Sequence, residues 1–383
     1  MTITNIYEIL TLKKFNNFQL IAGANGLDRI VSRGGFIDHE MPEDINESEY
    51  QNEMIFSNLA LIKNNPENII NYINALYNAG SACFAIKTTF FKEIQDAAIE
   101  TANKLSFPLF LFDDIYIEEL ILEIDQEVNS KKQDLKKIKI INEIENSNLN
   151  SFKIKELAYE LNHYFKPNYI SIYIKLLADA KYSFSIESAR KILNKHALII
   201  PIKSSYLIVL SFDKNENFSL IALLNNLGLN ETHCNVGISR KYNELGNINK
   251  SFHESKISLK YSIYKEEYIA NYEELGIYQI LFPIIDNQYS YMYFEDILQK
   301  LKLYDEEHHS NLVDTACAYI HCDGDIKSTS EELFQHMNTI RYRIRKIKVI
   351  LNFQSLKGMQ YESLATAVHL YELNKKRFNF EDL

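Results

Sequence analysis

The sequence has no tryptophan and is poor in the residues that mark unusual protein classes. Its 383 residues include only 4 cysteines, 11 glycines and 6 prolines. Four cysteines are too few for a disulfide scaffold in a chain of this length, which indicates a reducing compartment. The low glycine and proline content excludes collagen-like repeats, and a hydrophobic fraction of 46% is ordinary for a globular protein. The length predicts two or three domains.

Long apolar runs and a surplus of positive charge are also absent. No segment reaches the roughly 18 apolar residues of a membrane span, and the first residues do not resemble a signal peptide. The sequence therefore predicts a cytoplasmic protein that does not enter a membrane. Because 41 lysines and arginines stand against 51 aspartates and glutamates, the net charge is −10. Phosphate binding needs cationic patches, so any contact with nucleic acid has to be local.

Residues 1–115 alternate between short apolar segments and amphipathic segments. This order predicts a small α/β domain with a largely parallel sheet. The predicted strands are 53–57, 82–87 and 107–112, and the predicted helices are 66–77 and 92–105.

Polar residues near the predicted strand ends of this domain are candidates for ligand binding, because ligands of α/β sheets bind at the carboxyl ends of strands. These candidates are Asp38, His39, Ser57 and Asn58. An alternative hypothesis makes Asp38, His39 and Glu40 the acid/base or metal site of a metabolite-processing enzyme. Three adjacent polar residues on a loop are more often solvated or capping.

Residues 116–150 are predicted to form a linker helix. Its apolar positions follow steps of four and three, as in a coiled coil that pairs with a second copy of itself. A helix that lies on its own domain explains the same spacing equally well at this length. The apolar positions are Ile117, Ile121, Ile124, Val128, Leu135 and Ile138, and Lys131 fills the missing one.

Two further domains are predicted, an α+β domain over residues 151–285 and an all-α domain over residues 290–383. The strands predicted for the first of these are 169–174, 198–202, 206–210 and 234–238, and its helices lie near 186–195, 218–227 and 248–264.

The all-α domain contains a short helix over 325–334, a turn over 335–338 and a second helix over 339–351. Apolar residues of the second helix form one stripe for packing, namely Ile340, Ile344, Ile347 and Leu351. Residues 335–358 carry six basic side chains and no acidic one. Asn338 is predicted to cap the second helix. This layout is typical of a helix-turn-helix, whose second helix enters the DNA major groove.

The side chains of the second helix divide into two predicted groups. Residues predicted to contact bases are Thr339, Arg341, Tyr342 and Arg345. Residues predicted to contact phosphates are Asn338, Arg343, Lys346 and Lys348. A surface helix with a solvated charged face is the plain alternative.

Residues 333–347 resemble the helix-turn-helix signature of PucR-type transcriptional regulators, with Met337 and Ser330 where that family usually has Arg and Ala. Residues 312–320 and Gly324 resemble the family's leading helix and loop. Residues 36–113 resemble its N-terminal sensory domain, and residues 236–240 and 251–256 resemble its central domain, a degenerate nucleotide-cyclase (GGDEF-like) fold. The resemblance implies a homodimer or higher homo-oligomer that binds an operator and a small-molecule effector from purine or nitrogen metabolism.

Apart from the alternative at Asp38, His39 and Glu40, no catalytic residue, metal or cofactor is predicted. A working diguanylate cyclase needs glycines and carboxylates in its central hairpin, where this chain has Lys203-Ser204-Ser205-Tyr206. Zinc would accept Cys317 and His321, which are four residues apart, but no second pair at finger spacing follows. The sequence therefore favours a regulator over an enzyme.

Overall fold

The computed structural model describes residues 4–146, 148–177, 184–214 and 219–376. Phe218, the first residue of one predicted helix, and residues 377–383 of the predicted C-terminal domain lie outside these ranges. The chain divides into two compact units, Met1–Lys137 and Ile138–Leu383.

A five-stranded sheet forms the centre of the first unit. Its order is β1-β5-β4-β3-β2, with β2 to β5 parallel and β1 antiparallel to β5. The three predicted strands are confirmed as β3, β4 and β5, whereas the short edge strands β1 and β2 lacked a continuous apolar run. The strands are β1 (Gln19–Ala22), β2 (Arg33–Phe36), β3 (Glu53–Ser57), β4 (Cys83–Lys87) and β5 (Leu109–Phe112).

Both faces of this sheet are covered, which explains why its central strands are apolar without alternation. Ile55, Phe84 and Leu111 lie in the core beneath helices α2 (Ile69–Asn78) and α3 (Asp96–Lys104). The opposite face packs against α1 (Ile6–Ile9) and the first half of α4 (Ile117–Asn146).

Helix α4 uses its apolar positions within the chain. Ile124 and Val128 are buried in the core of the first unit. A Cβ atom on Gly34 would lie 3.0 Å from the Cα atom of Ile121, so glycine permits the helix to lie close to β2. Lys131 Nζ donates to Glu8 Oε2 at 2.9 Å. These contacts favour the hypothesis that the helix packs on its own domain. They disfavour the alternative, a coiled-coil seam that pairs with a second copy of the chain.

The second unit contains another five-stranded sheet, ordered β10-β9-β6-β8-β7. Only the β9–β10 pair is parallel among its described pairings. The four predicted strands are confirmed, and three-residue β10 was not predicted. The strands are β6 (Asn168–Leu176), β7 (Ala197–Ile202), β8 (Ser205–Phe212), β9 (Cys234–Ile238) and β10 (Ile269–Asn271), and the helices are α5 (Ser151–Leu161), α6 (Ile186–Ile192), α7 (Leu220–Asn226) and α8 (Ile248–Lys265).

The motifs at residues 236–240 and 251–256 lie at the end of β9 and within α8, and they hold this strand and this helix together. A Cβ atom on Gly237 would lie 2.0 Å from the Leu259 nitrogen, so strand and helix touch through glycine. The carboxylate of Glu254 is buried and accepts from Arg240 Nε at 2.9 Å and from Arg240 Nη2 and Tyr242 Oη at 2.6 and 2.8 Å. These two motifs therefore serve packing and fully bond a buried charge.

The described residues after β10 form mainly helices, as predicted for the C-terminal domain. Helix α14 takes part in two cores: Leu364 and Val368 pack among the C-terminal helices, and Leu370 and Leu373 pack in the core that includes the sheet. In the described part of the chain, no helix combines the length and the apolar character needed to cross a membrane. The helices are α9 (Tyr278–Ile284), α10 (Gln288–His308), α11 (Leu312–His321), α12 (Ile326–Glu332), α13 (Met337–Ile350) and α14 (Met359–Lys375).

Candidate nucleic-acid interface

Helices α11, α12 and α13 form a compact group with one shared core. The predicted stripe on α13 is confirmed, since Ile340, Ile344 and Ile347 are buried there. Helix α12 begins at an N-cap, Asp325, whose carboxylate accepts from the Ser328 N–H at 2.7 Å. Ser330 is buried and donates its hydroxyl hydrogen to the Lys327 carbonyl at 2.7 Å, so the hydroxyl at this packed position has a partner.

The turn between α12 and α13 ends on a histidine. Helix α13 begins at Met337, and its N-cap is His336, whose Nδ1 accepts from the Asn338 N–H at 3.2 Å. The prediction that Asn338 caps this helix is therefore wrong. Because Asn338 lies inside the first turn, its Oδ1 instead accepts from Arg341 Nη1 at 3.1 Å.

The residues predicted to contact bases lie together on α13. Arg341, Tyr342 and Arg345 are exposed, and Tyr342 is 58% exposed. Thr339 is half-buried at the margin of this surface, and Asn338 is exposed beside Arg341. We call the group Asn338, Arg341, Tyr342 and Arg345 the outer face of α13. It displays two guanidinium groups, an amide and a phenol, which can hydrogen-bond to base edges.

The other residues predicted to contact phosphates flank this face and also contact their own chain. Arg343 is half-buried and donates to Thr315 Oγ1 on α11 at 3.2 Å. Lys346 Nζ lies 5.6 Å from the ring centroid of Tyr304 on α10. Lys348 lies in the last turn of α13, where the helix dipole favours a cation. Contact with phosphates stays a prediction for all of them.

Sequence reasoning missed one exposed aromatic residue beside the outer face. Phe334 lies in the turn before α13 with a φ angle of 51° and is 92% exposed. Apolar side chains contact thymine methyl groups in DNA complexes, so the position of this ring next to the outer face makes it a candidate DNA contact. The available signal was a large apolar residue outside the packing stripe.

A polar network lies behind this helix group. His321 Nε2 and Glu372 Oε1 are 2.8 Å apart, and Tyr264 Oη donates to Glu372 Oε2 at 3.3 Å. The hydrogen bond to Glu372 raises the pKa of His321. Burial is the largest single influence on Glu372 and opposes its ionisation, but the hydrogen bonds and charges of His321, His369 and Tyr264 together outweigh burial and lower the pKa of this carboxyl. Tyr278 Oη and His369 Nδ1 lie 3.2 Å apart.

Cys317 and His321, the pair that zinc would accept, are occupied by burial and by an ion pair, respectively. Burial raises the pKa of the Cys317 thiol to about 12, so the thiol stays protonated. His321, its partner in the zinc alternative, is engaged by Glu372. Within the described ranges, no three His, Cys, Asp or Glu side chains are grouped so as to hold a metal ion.

The candidate ligand residues of the first unit lie at or just after the ends of β2 and β3. Ser57 Oγ accepts from the Leu59 N–H at 3.0 Å, and Asn58 Oδ1 accepts from the Ala60 N–H at 2.9 Å, so both support the turn after β3. His39 is 88% exposed. Glu40 Oε2 accepts from the backbone N–H groups of Asp38 and His39 at 3.0 and 3.1 Å, so this carboxylate orders its own loop.

Two family models match the chain at its two ends. Residues 8–128 match the purine catabolism regulatory protein-like family, and residues 312–370 match the PucR C-terminal helix-turn-helix domain. Together with the geometry of α12 and α13, the second match defines a helix-turn-helix protein. The two ends of the chain therefore carry domains of PucR-type transcriptional regulators.

Similar proteins from Bacillus subtilis (strain 168) are transcriptional regulators. The DNA-binding transcriptional activator AdeR is 28% identical over 166 residues, which are 40% of this chain and 39% of AdeR. The proline-responsive transcriptional activator PutR is 30% identical over 175 residues, which are 43% of each chain. The purine catabolism regulatory protein is 28% identical over 106 residues, which are 27% of this chain and 19% of that protein. The chain thus matches about two fifths of the length of AdeR and PutR.

A solved structure, the regulator of polyketide synthase expression from Bifidobacterium adolescentis, is 15% identical to this chain. It aligns over 62% of this chain and 98% of its own with a TM-score of 0.26.

Proposed function

We propose that this protein is a sequence-specific, DNA-binding transcriptional regulator that responds to a small-molecule effector. The observation that carries the proposal is the outer face of α13, an exposed basic surface on the second helix of a helix-turn-helix within a chain of net charge −10. Because the remainder of the chain is acidic, DNA is attracted to this surface and repelled elsewhere. AdeR and PutR, which are transcriptional activators, support the same role.

In this proposal the two groups of side chains on α13 act differently. Arg341, Tyr342 and Arg345 of the outer face, with Thr339 at its margin, contact bases. Asn338, Arg343, Lys346 and Lys348 contact phosphates and fix the position of the helix in the groove. The contacts of Arg343 with Thr315 and of Lys346 with Tyr304 hold their side chains at the flanks of the outer face.

The second part of the proposal concerns how an effector regulates DNA binding through the first unit. Effector binding to the first unit favours one arrangement of a homodimer or higher homo-oligomer and so changes the spacing of two recognition helices. Its effector comes from nitrogen metabolism, which agrees with the names of the proline-responsive activator and the purine catabolism regulator. The regulator acts in the cytoplasm, where its operator lies.

For the sheet of the second unit we propose descent from a nucleotide-cyclase domain without its catalysis. The β7–β8 hairpin supports this, since Ile202 pairs with Ser205 and the turn is Lys203-Ser204. This turn offers no carboxylate for Mg²⁺ and no glycine for a close approach of phosphate. The domain serves in relay or association of subunits.

Titration of the full chain into labelled DNA from the promoter of its own gene tests DNA binding. We expect Arg341→Ala and Arg345→Ala each to weaken binding by about 1–3 kcal/mol, and affinity to fall steeply with salt. Lys191→Ala, which removes an exposed cation from α6, is the matched control and leaves affinity unchanged. Equal affinity of all four proteins would refute the role of the outer face.

A further inference from the structure

The first unit has an open cleft at the carboxyl edge of its parallel strands. It lies where β4 and β5 end and antiparallel β1 begins, and its volume is about 590 Å³. This volume suits a small organic ligand, and this edge of an α/β sheet is where ligands bind. The lining residues are Asn16, Asn17, Phe18, Gln19, Thr88, Lys92, Leu111, Phe112, Asp113 and Asp114.

The cleft carries charges of both signs. Asp113 and Asp114 supply carboxylates, and Lys92 supplies an ammonium group. The pKa of Asp113 is lowered by the hydrogen bond from the Asp114 N–H, so this carboxylate is ionised at neutral pH. The cation of Lys87 is engaged elsewhere, because Lys87 Nζ donates to the Ile115 carbonyl at 2.8 Å. Lys92 is therefore the cation that the cleft itself offers.

Neutral polar groups in the cleft are open to a ligand. The side-chain amides of Asn16, Asn17 and Gln19 are exposed and make no hydrogen bond to another residue in the described ranges. The hydroxyl of Thr88 lies near Asp113 and helps to lower its pKa, yet this buried hydroxyl makes no well-formed hydrogen bond. A side-chain amide both donates and accepts hydrogen bonds, so the three exposed amides suit a polar ligand of either charge.

The aromatic residues of the cleft do not form a slot for a planar heterocycle. The rings of Phe18 and Phe112 stack on each other, with centroids 4.8 Å apart and planes 7° apart. Phe112 is buried and Phe18 is half-buried, and Phe56 packs edge-on against both rings. Because neighbouring rings cover their faces, these side chains form the apolar floor of the cleft. A purine base would find no pair of open aromatic faces here.

We propose that this cleft is the effector site and that it takes a small zwitterion with an ammonium and a carboxylate group, such as a free amino acid. Asp113 and Asp114 bind the ammonium group, Lys92 binds the carboxylate, and the amides bind the remaining polar atoms. The proposal rests on the proposed effector response and names its site and ligand class. This site adjoins β4 and β5, whereas the candidates Asp38, His39, Ser57 and Asn58 follow β2 and β3.

Calorimetric titration of the full chain with the twenty free amino acids and with purine bases tests the ligand class. At least one amino acid is expected to bind saturably. The matching amine without the carboxylate and the matching acid without the ammonium group are expected to bind at least about tenfold more weakly, since each lacks a charge-assisted contact. Binding of a purine base in place of amino acids, or of no probe at all, would overturn the proposal.

Substitutions then test the site. Asp113→Asn keeps an oxygen for the Asp114 N–H but loses the charge, and it is expected to weaken the amino acid by about tenfold or more. Lys92→Gln is expected to weaken it several-fold. Asp28→Asn, an exposed aspartate of the same unit outside the cleft, is the control and binds normally. Undiminished binding by Asp113→Asn overturns the assignment of the site.

The same proteins are titrated with promoter DNA, so that the two proposals fail separately. A chain that binds DNA but no amino acid overturns the zwitterion site and leaves the DNA-binding role in place. A chain that binds an amino acid through Asp113 but no DNA supports the site and overturns that role.

Discussion

Helices α13 and α14 are neighbours in the sequence and use their polar residues in opposite ways. In α13, Arg341, Tyr342 and Arg345 face solvent. In α14, two polar side chains on the inner sides of the helix have partners within the protein: Glu372 is bonded to His321 and Tyr264, and His369 is bonded to Tyr278. One helix keeps its polar groups for a partner, and the other uses them to hold the second unit together.

This difference follows from what surrounds each helix. Helix α13 packs on one side only, through Ile340, Ile344 and Ile347. Helix α14 packs on two sides, because Val368 faces the C-terminal helices while Leu370 faces the core that includes the sheet. Polar residues between two packed faces need partners inside the protein. Changes on the outer face of α13 should therefore alter DNA binding, and changes in α14 should alter stability.

The largest effect should come from placing a charge on the packed side of α13. Ile347→Asp removes buried apolar surface and buries a carboxylate without a partner, so we expect the free energy of unfolding to fall by about 3–5 kcal/mol. Urea unfolding followed by circular dichroism measures this loss. Val349→Asp is the matched control, because Val349 is 75% exposed two residues further along, and its cost should stay within about 0.5 kcal/mol. Similar losses in both variants would contradict the division of α13 into two sides.

A smaller effect, on affinity alone, should follow from Phe334→Ala. Phe334 packs against little in the free protein, so stability should stay within about 0.5 kcal/mol of wild type. DNA affinity should fall about fivefold if the ring covers apolar DNA surface, an effect of roughly 1 kcal/mol. Fluorescence anisotropy with promoter DNA measures it. Phe152→Ala on α5, which removes another exposed phenylalanine, should leave DNA affinity unchanged. A loss of stability without a loss of affinity would mean that Phe334 serves the fold.

The sequence predicted the packed side of α13 well, because spacing alone places Ile340, Ile344 and Ile347 on one stripe. It also predicted strands β3, β4 and β5, whose uninterrupted apolar runs are visible locally. The cap of α13 was not predictable, since Asn338 is a preferred type of N-cap residue and only the backbone places His336 before the first turn instead. The apolar seam of α4 was ambiguous for a similar reason, because the same isoleucines can pack in a coiled coil or against a sheet. Gly34 on β2 leaves the space that lets α4 pack against the sheet.

The cleft in the first unit and the network around Glu372 depend on contacts between distant segments. Asn17 and Asp113 are far apart in the sequence and lie in one cleft because β1 pairs with β5. Likewise, nothing near His321 in the sequence indicates that Glu372 is its partner. Sequence patterns identify helix faces and buried strands, whereas polar partners follow from the topology.

The smallest effect concerns the pH dependence of stability. It arises from the ion pair between His321 and Glu372 of α14. Because Glu372 raises the pKa of His321, the folded state favours the protonated imidazole. Its contribution to stability is therefore present below about pH 6.5, the pKa of an unfolded histidine, and is lost as pH rises through the raised value. Glu372 stays ionised throughout this range, since its pKa is lowered. His321 is 41% exposed, so solvent screening limits the gain to about 1 kcal/mol.

Burial lowers the pKa of His369, which costs stability as pH falls, so the wild-type profile combines two opposite trends. The His321→Asn variant removes the first trend and retains His369, and it also removes the charge of His321, which contributes to the lowered pKa of His369. We expect this variant to be less stable than wild type near about pH 6, and the difference to shrink as pH rises toward about pH 9. Thermal unfolding across this range measures the difference. DNA affinity of the folded variant should match wild type, since His321 lies behind α13. A difference that grows with pH would show that His321 is neutral in the folded protein and that Glu372 holds it as a hydrogen-bond donor alone.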